Sequence, residues 1–239
     1  MSKLNLMICP HDTAKDPDKW FRFLQYLNHN LDFVVHFTIS LDFKEFHDRL
    51  STADIVYANP ADGVHLAKEH QFIPIVRSTN LFDEVVFIAN PNLNNPSLQS
   101  YQGSKVVTVS SMVTNLATSI LQRQDIVPAE LVNKESWMGV VNAVVKDEVS
   151  LGFVYKDTYD ELSAKTKEMI TAIATSTEHR AFHALYISPK AEDHAQAISS
   201  ALQKMHLDPM GQDVLKELNI EAWESISADA LQSLFAIAG

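Results

Sequence analysis

The stretch Ala53 to Asp62, ADIVYANPAD, limits what this chain can fold into more than any other. Asp54 to Ala58 is dominated by β-branched and aromatic residues with no Gly or Pro, so it predicts a short strand. Asn59-Pro60 stops that strand, because proline offers no N–H to a ladder and biases the residue before it toward extended or turn conformations. Val64, Leu66 and Ala67 then predict a helix, with Asp62 as its cap. A strand that ends in a polar turn and opens a helix leaves backbone N–H groups at the C-terminal edge of a sheet. In open α/β sheets, ligands bind at that edge. The same residues also suit an ordinary strand–helix connection, so the weight rests on what flanks them.

The flanking pattern repeats the theme. Lys3 to Cys9 alternates and then turns fully apolar, as a strand entering a buried sheet does, and Pro10 to Thr13 reads as a turn. A helix is expected from about Asp16, with Pro17 in its first turn and Trp20, Phe21, Phe23, Leu24 and Leu27 on or near one face. Phe33 to Thr38 is a strand, Asp42 caps a helix carrying Phe43, Phe46 and Leu50, and Phe72 to Arg77 is a further strand. This βαβαβαβ order argues for a mostly parallel, wound sheet. Glu84 to Ala89 is another strand, and the polar, proline-containing run Asn90 to Pro96 marks a crossover into a second α/β unit. There, Lys105–Val109 and Ser150–Tyr155 read as strands, with helices through Leu121 and from Trp137 to Val145, and Pro128 to Asn133 reads as a connection. Thr158 to Leu162 reads as a helical turn. Met169–Ala174 and Phe182–Ile187 read as strands, the second returning the chain to the first unit. Glu192–Leu207, Gly211–Leu218 and Asp229–Phe235 are helical by period. The expected lobes are residues 1–88 with 186–239, and 89–185.

Composition removes several classes of function. The net charge of −11 over 239 residues argues against nucleic-acid or anionic-membrane partners. A small anionic ligand stays open, since locally oriented N–H dipoles can act against the global charge. One cysteine, Cys9, allows neither an internal disulfide nor a Cys-rich metal site. There is no apolar run of about 18 residues to span a membrane. The start, MSKLNLMICP, is too short in its apolar part for a secretory signal, so either the protein is cytoplasmic or a signal has been removed.

Three strand ends close on hydroxyl, amide or aromatic residues before a helix: Tyr57–Asp62, Val109–Thr114 and Phe153–Asp157. Ser110, Ser111 and Thr114 suit oxyanion or phosphoryl oxygens, and equally suit simple N-capping. Ser136-Trp137 opens another helix, and Trp137 either walls a pocket or fills the core. His179 and His183 have an i,i+4 spacing but no third ligand at a recognisable distance, so no metal or other cofactor is expected. Cys9 beside His11 is read as a buried small hydrophobe, and Arg77 as a solvated strand end. No Walker loop, G-x-S-x-G or G-x-G-x-x-G is present.

Five segments, in order, carry a resemblance over nearly the whole chain. They are MICPHDTAKDPDKW, ADIVYANPAD, Tyr101 to Val106, Ser136 to Val144 (SWMGVVNAV) and Ser150 to Tyr155 (SLGFVY). Together the chain resembles the phosphonate/phosphite/phosphate-type solute-binding proteins of ABC uptake systems, which are type II periplasmic binding proteins. The resemblance implies an α/β fold of two lobes, each a wound mixed sheet flanked by helices, closing on a ligand in the cleft between them. It implies ligand contacts from Tyr57 and Asn59 in the first lobe. In the second it implies Ser110, Ser111, Thr114, Ser136, Trp137, Tyr155 and Asp157. The chain departs from the family pattern at three of these places. SSMVT stands where a Ser-Thr-Ser-Gly cluster is usual, Trp137 where a histidine follows the serine, and Asn59 where a glycine precedes the proline.

The function implied is capture of a small ligand, a phosphonate-, phosphite- or phosphate-like oxyanion, for ABC-type uptake or sensing. Its partner would be an ABC permease or a membrane sensor, its location periplasmic, and it would carry no catalytic residues. Two alternatives stand beside it. One is a cytoplasmic enzyme on the same fold, with Cys9, His11 and Asp157 as first suspects. The other is a ligand-sensing domain that docks on a signalling partner.

Overall fold

A computed structural model of the chain describes residues 3–13, 16–40, 42–91 and 96–238. The chain forms two compact units. One is Met1–Leu81 with Phe182–Phe235, and the other is Phe82–Ala181 with Ala236–Gly239.

The first unit begins with β1 (Lys3–Ile8), a single helical turn α1 (Pro10–Thr13), α2 (Pro17–Asn30) and β2 (Val34–Thr38). It continues through α3 (Phe43–Arg49), β3 (Ile55–Ala58), α4 (Pro60–His70) and β4 (Ile73–Ser78). The second unit contributes β5 (Val85–Ala89), β6 (Lys105–Thr108), α5 (Met112–Gln122), β7 (Glu130–Asn133) and α6 (Trp137–Val145). It then adds β8 (Leu151–Tyr155), α7 (Lys156–Asp160), α8 (Ala164–Glu168) and β9 (Thr171–Thr175). The chain returns with β10 (Ala184–Ile187), α9 (Ala195–Gln203), α10 (Pro209–Leu218) and β11 (Trp223–Glu224), and closes with α11 (Ala228–Ala238).

The first sheet has the order β11-β4-β10-β3-β1-β2. β1 pairs in parallel with β2 and β3, while β10 runs antiparallel between β3 and β4. The sheet is therefore mixed, with a strand from the second half of the sequence at its centre. Leu4, Leu6 and Ile8 alternate along β1 onto a core shared with Trp20, Phe23 and Leu27 of α2 and with Leu202 and Leu215 of α9 and α10. Helix α4 packs against β10. A Cβ on Gly63 would lie 2.3 Å from the Tyr186 hydroxyl, so only glycine allows this approach.

The second sheet has the order β7-β6-β8-β5-β9. β6 is parallel to β7 and β8, and β5 is antiparallel to β8 and β9. Valines of α6 (Val140, Val141 and Val144) pack with Val86, Ile88, Val107 and Val154. Phe87 and Phe153 meet edge-on at 5.2 Å between ring centroids, and both are buried.

Several expectations need correction. The units divide at 81/82 and 181/182, not at 88/89 and 185/186, because β5 forms its ladders with β8 and β9. Asn59, not Asp62, caps α4: its Oδ1 accepts from the Asp62 N–H, and Pro60 takes the first helical position. Part of the expected connection Pro128–Asn133 is the edge strand β7. A helix, α8, precedes β9 where none was expected. Of the crossover run Asn90–Pro96, residues 92–95 lie outside the described residues. No helix among the described residues is long and apolar enough to cross a membrane.

Candidate functional site

In the second unit, the parallel strands β6, β7 and β8 each end on the same edge of the sheet, and each is followed by a helix. Ser111 caps α5, its Oγ accepting from the Thr114 N–H at 3.4 Å. Ser136 caps α6, its Oγ accepting from the Gly139 N–H at 3.1 Å. A capping hydroxyl accepts through a lone pair and keeps its own O–H as a donor, so capping and oxyanion binding do not exclude one another. Ser110 and Ser136 are exposed and Ser111 is half-buried. Thr114 differs. Its buried hydroxyl donates to the Val109 carbonyl at 2.5 Å and lies 2.5 Å from the Thr108 hydroxyl, so it ties the turn together from within.

Trp137 is half-buried at the start of α6. It touches the valine core and lies 6.4 Å from the Tyr155 ring. Its contact with the valine core is the core-filling role that its sequence position allowed. The Tyr155 hydroxyl lies between two carboxylates, 2.9 Å from Asp157 Oδ2 and 3.1 Å from Asp83 Oδ1. One phenolic proton serves one carboxylate at a time. Burial, and then the charges of Asp83 and Asp157, raise the phenol well above its ordinary range, so Tyr155 remains a donor. Beside it, buried Glu84 binds the Ser176 hydroxyl and accepts from the His179 N–H at 2.8 Å, a residue held at φ +55°. This fastens the start of β5 to the segment after β9. Asp83 and Glu84 are site-edge carboxylates that local sequence pattern did not single out. They appear at this edge because β5 runs antiparallel to β8, placing Val85 opposite Tyr155.

In the first unit, the ends of β1 and β3 share an edge with the start of β10, where Ala184 pairs with Ala58. Tyr57 is only 1% exposed. Its ring packs 5.0 Å from Trp20, 5.6 Å from His183 and 5.9 Å from Trp223. Asn59 uses its Oδ1 in the α4 cap, while its Nδ2 donates to Asp62 Oδ2 at 2.6 Å and to Cys9 Sγ at 3.4 Å. Asp62 in turn lies 2.8 Å from His47 Nε2. Both N–H bonds of the Asn59 amide are thus engaged within the fold. His183, immediately before β10, places Nδ1 3.1 Å from Asp12 Oδ2, and the Asp12 carbonyl accepts from Trp20 Nε1 at 3.0 Å. Exposed His11 lies 6.5 Å from the His183 ring.

Cys9 is fully buried, and burial pushes its thiol up to about 11, so it is not a nucleophile at neutral pH. Arg77 is not simply a solvated strand end. It pairs with Glu224 at 2.8 Å and lies 4.5 Å over the Phe182 ring.

A sequence model of the ABC transporter phosphonate periplasmic substrate-binding proteins matches residues 7–231. The chain belongs to this family. As a phosphonate-type binding protein it has the type II periplasmic-binding-protein fold, each unit a mixed sheet flanked by helices. Among solved structures, XAC2383 from Xanthomonas citri bound to chloride ion is similar at a TM-score of 0.75 and 14% identity, with 100% of this chain and 96% of that chain covered. PhnD1 from Prochlorococcus marinus in complex with methylphosphonate gives a TM-score of 0.72 at 13% identity, covering 98% and 96%. The periplasmic aliphatic sulphonate binding protein SsuA from Escherichia coli gives 0.69 at 11% identity, covering 100% and 91%. At these identities the likeness speaks for the fold. By sequence, no curated protein matches this phosphonate-type chain.

Proposed function

We propose that this chain captures a small oxyanion of the phosphonate, phosphite or phosphate class in the periplasm and presents it to an ABC permease. The observation that carries this reading is the shared sheet edge of the second unit. There the capping hydroxyls of Ser111 and Ser136 stand at the starts of α5 and α6, where helix N–H groups favour negative charge. Ser110, Trp137 and Tyr155 lie at that edge, the one O–H of Tyr155 already engaged by the Asp83 and Asp157 carboxylates. Asp157 belongs to it as the acceptor that orients the phenol. In this reading Thr114 and Asn59 support their turns rather than grip ligand, since their donors are already engaged. Tyr57 contributes as the buried base of the first unit's edge. Family membership supports the transport role, and the methylphosphonate complex of the Prochlorococcus protein supports the ligand class.

Thermal unfolding with methylphosphonate, phosphite, phosphate, methanesulfonate and sulfate tests the reading. At about 100 times its dissociation constant a ligand stabilises the native state by about 2.7 kcal/mol. For a chain of this size that is a shift of roughly 5–10 °C. A shift confined to the phosphorus oxyanions is expected. A shift only with sulfonates replaces the ligand class, and no shift with any of them overturns the reading.

A further inference from the structure

The outermost strand of a sheet carries a row of unpaired backbone groups, which a protein either blunts or uses. The first sheet ends on β2 and β11, the second on β7 and β9. β2 is covered at its middle by Asn28, whose amide takes both backbone groups of Val35. Its Nδ2 donates to the Val35 carbonyl at 2.9 Å, and its Oδ1 accepts from the Val35 N–H at 2.7 Å. β11 is only two residues long. β9 carries a bulge where it passes Phe87 and Ile88, which puts its outward groups out of step. Among the described residues, β7 has none of these devices. Its one charged residue, Glu130, is neutralised by Lys105 of β6 at 3.1 Å, and Leu131 stands 42% exposed.

The Ala129 N–H donates to the Ser104 carbonyl at 3.0 Å, toward β6. Direction alternates along a strand, so Leu131 and Asn133 also turn their backbone groups to β6, and Glu130 and Val132 turn theirs away. We propose that this edge is an interface with a second copy of the same chain, the two β7 strands pairing antiparallel about a two-fold axis at Leu131. The inference goes beyond the oxyanion reading and does not depend on it.

The backbone selects this register. A two-fold axis makes contacts reciprocal, so Glu130 meets Val132 of the second copy and Val132 meets its Glu130. These are the outward residues, and each outward N–H and C=O then finds a partner. An axis at Glu130 would set Val132 against Pro128, which has no N–H to give. An axis at Val132 would set Glu130 against Lys134, whose N–H already donates to the Thr108 carbonyl at 2.8 Å. With the axis at Leu131, this side chain lies against its own counterpart in a non-hydrogen-bonded pair, where side chains come closest, and its apolar surface is covered. Glu130 faces a valine rather than a second carboxylate. The ligand edges of the two second units point in opposite directions along the joined sheet. Each copy contributes a strand of four residues, against about 20–30 residues a side in a standard interface, so the dimer is weak and concentration-dependent. The net charge of −11 on each copy opposes the contact, so salt strengthens it.

The test is sedimentation velocity of the full chain from about 10 µM to about 1 mM, at low and at high salt. The average mass is expected to rise with concentration from 26.8 kDa toward twice that value, and to rise further at high salt. Leu131→Lys and Leu131→Glu each place like charges on the axis, so either variant alone should stay at 26.8 kDa. An equimolar mixture of the two should regain the dimer, because position 131 of one copy meets position 131 of the other. Circular dichroism checks that the variants fold. Val132→Pro, which removes an outward N–H that β6 does not use, replaces them if they do not, and should also stay monomeric. A monomer at every concentration overturns the inference, and so does a dimer that survives these variants. A mixture that stays monomeric overturns the two-fold register. A mass that grows past the dimer overturns it as well, since a two-fold contact closes.

Discussion

Tyr186 is fully buried in the first sheet, and among the described residues its hydroxyl has no hydrogen-bond partner. Burial alone raises this phenol well above its ordinary range. An unsatisfied buried donor costs about 1–3 kcal/mol, and phenylalanine removes it while keeping the ring. Tyr186→Phe should therefore raise stability by about 1 kcal/mol in urea unfolding. Gly63→Ala should lower it, because the new methyl meets that same ring. Cys9 gives a prediction with a pH sign. Its thiol is raised from 9.0 to about 11 in the folded state, so the folded protein holds this proton more tightly than the unfolded chain. The resulting stability is fully present below pH 9 and is lost as pH rises through about 11, on the order of 2 kcal/mol in all. The thermal midpoint of wild type should fall faster than that of Cys9→Ala across this window, and parallel curves would contradict the assignment.

At the scale of elements, helix starts are legible in the sequence because capping is local physics. Asp42 caps α3 as expected, Asp16 caps α2 where that helix was expected to start, and Ser111 and Ser136 cap α5 and α6. Removing one such cap costs about 0.5–2 kcal/mol. Ser136→Ala should lower stability within that range, and should weaken oxyanion binding as well if its O–H reaches ligand. Calorimetry on the folded variant separates the two effects. The misses have equally physical causes. β7 reads ELVN and is largely exposed, so it lacks the apolar alternation that marks a half-buried strand. The α4 cap moved from Asp62 to Asn59 because Pro60 is pre-organised for the first helical turn. The pairing of His183 with Asp12 spans 171 positions and depends on β10 running antiparallel beside β3. No local pattern carries such register, so histidines that offered no metal spacing gave no sign of an edge contact.

For the whole molecule, the family resemblance carried the architecture, while the unit boundaries required the ladders themselves. All five strands of the second sheet lie between residues 82 and 181, whereas the first sheet draws β10 and β11 from beyond it. A fragment spanning 82–181 should accordingly show cooperative unfolding by circular dichroism. Residues 1–81 alone should not, because β3 and β4 would face one another across the missing β10. A cooperative transition in the 1–81 fragment would contradict this account of the first sheet.

The late arrival of β10 also gives the chain a timetable as it is made. About a hundred residues separate the end of β4 from the start of β10. At about 5–20 residues per second this is a wait of roughly 5–20 s on the ribosome. For that interval β3 and β4 each lack the neighbour they will later share, while the second sheet can assemble from contiguous chain. The nascent protein thus stays unfinished in its first unit until β10, and after it β11, have been made, an interval in which chaperones would meet an open sheet rather than a closed one.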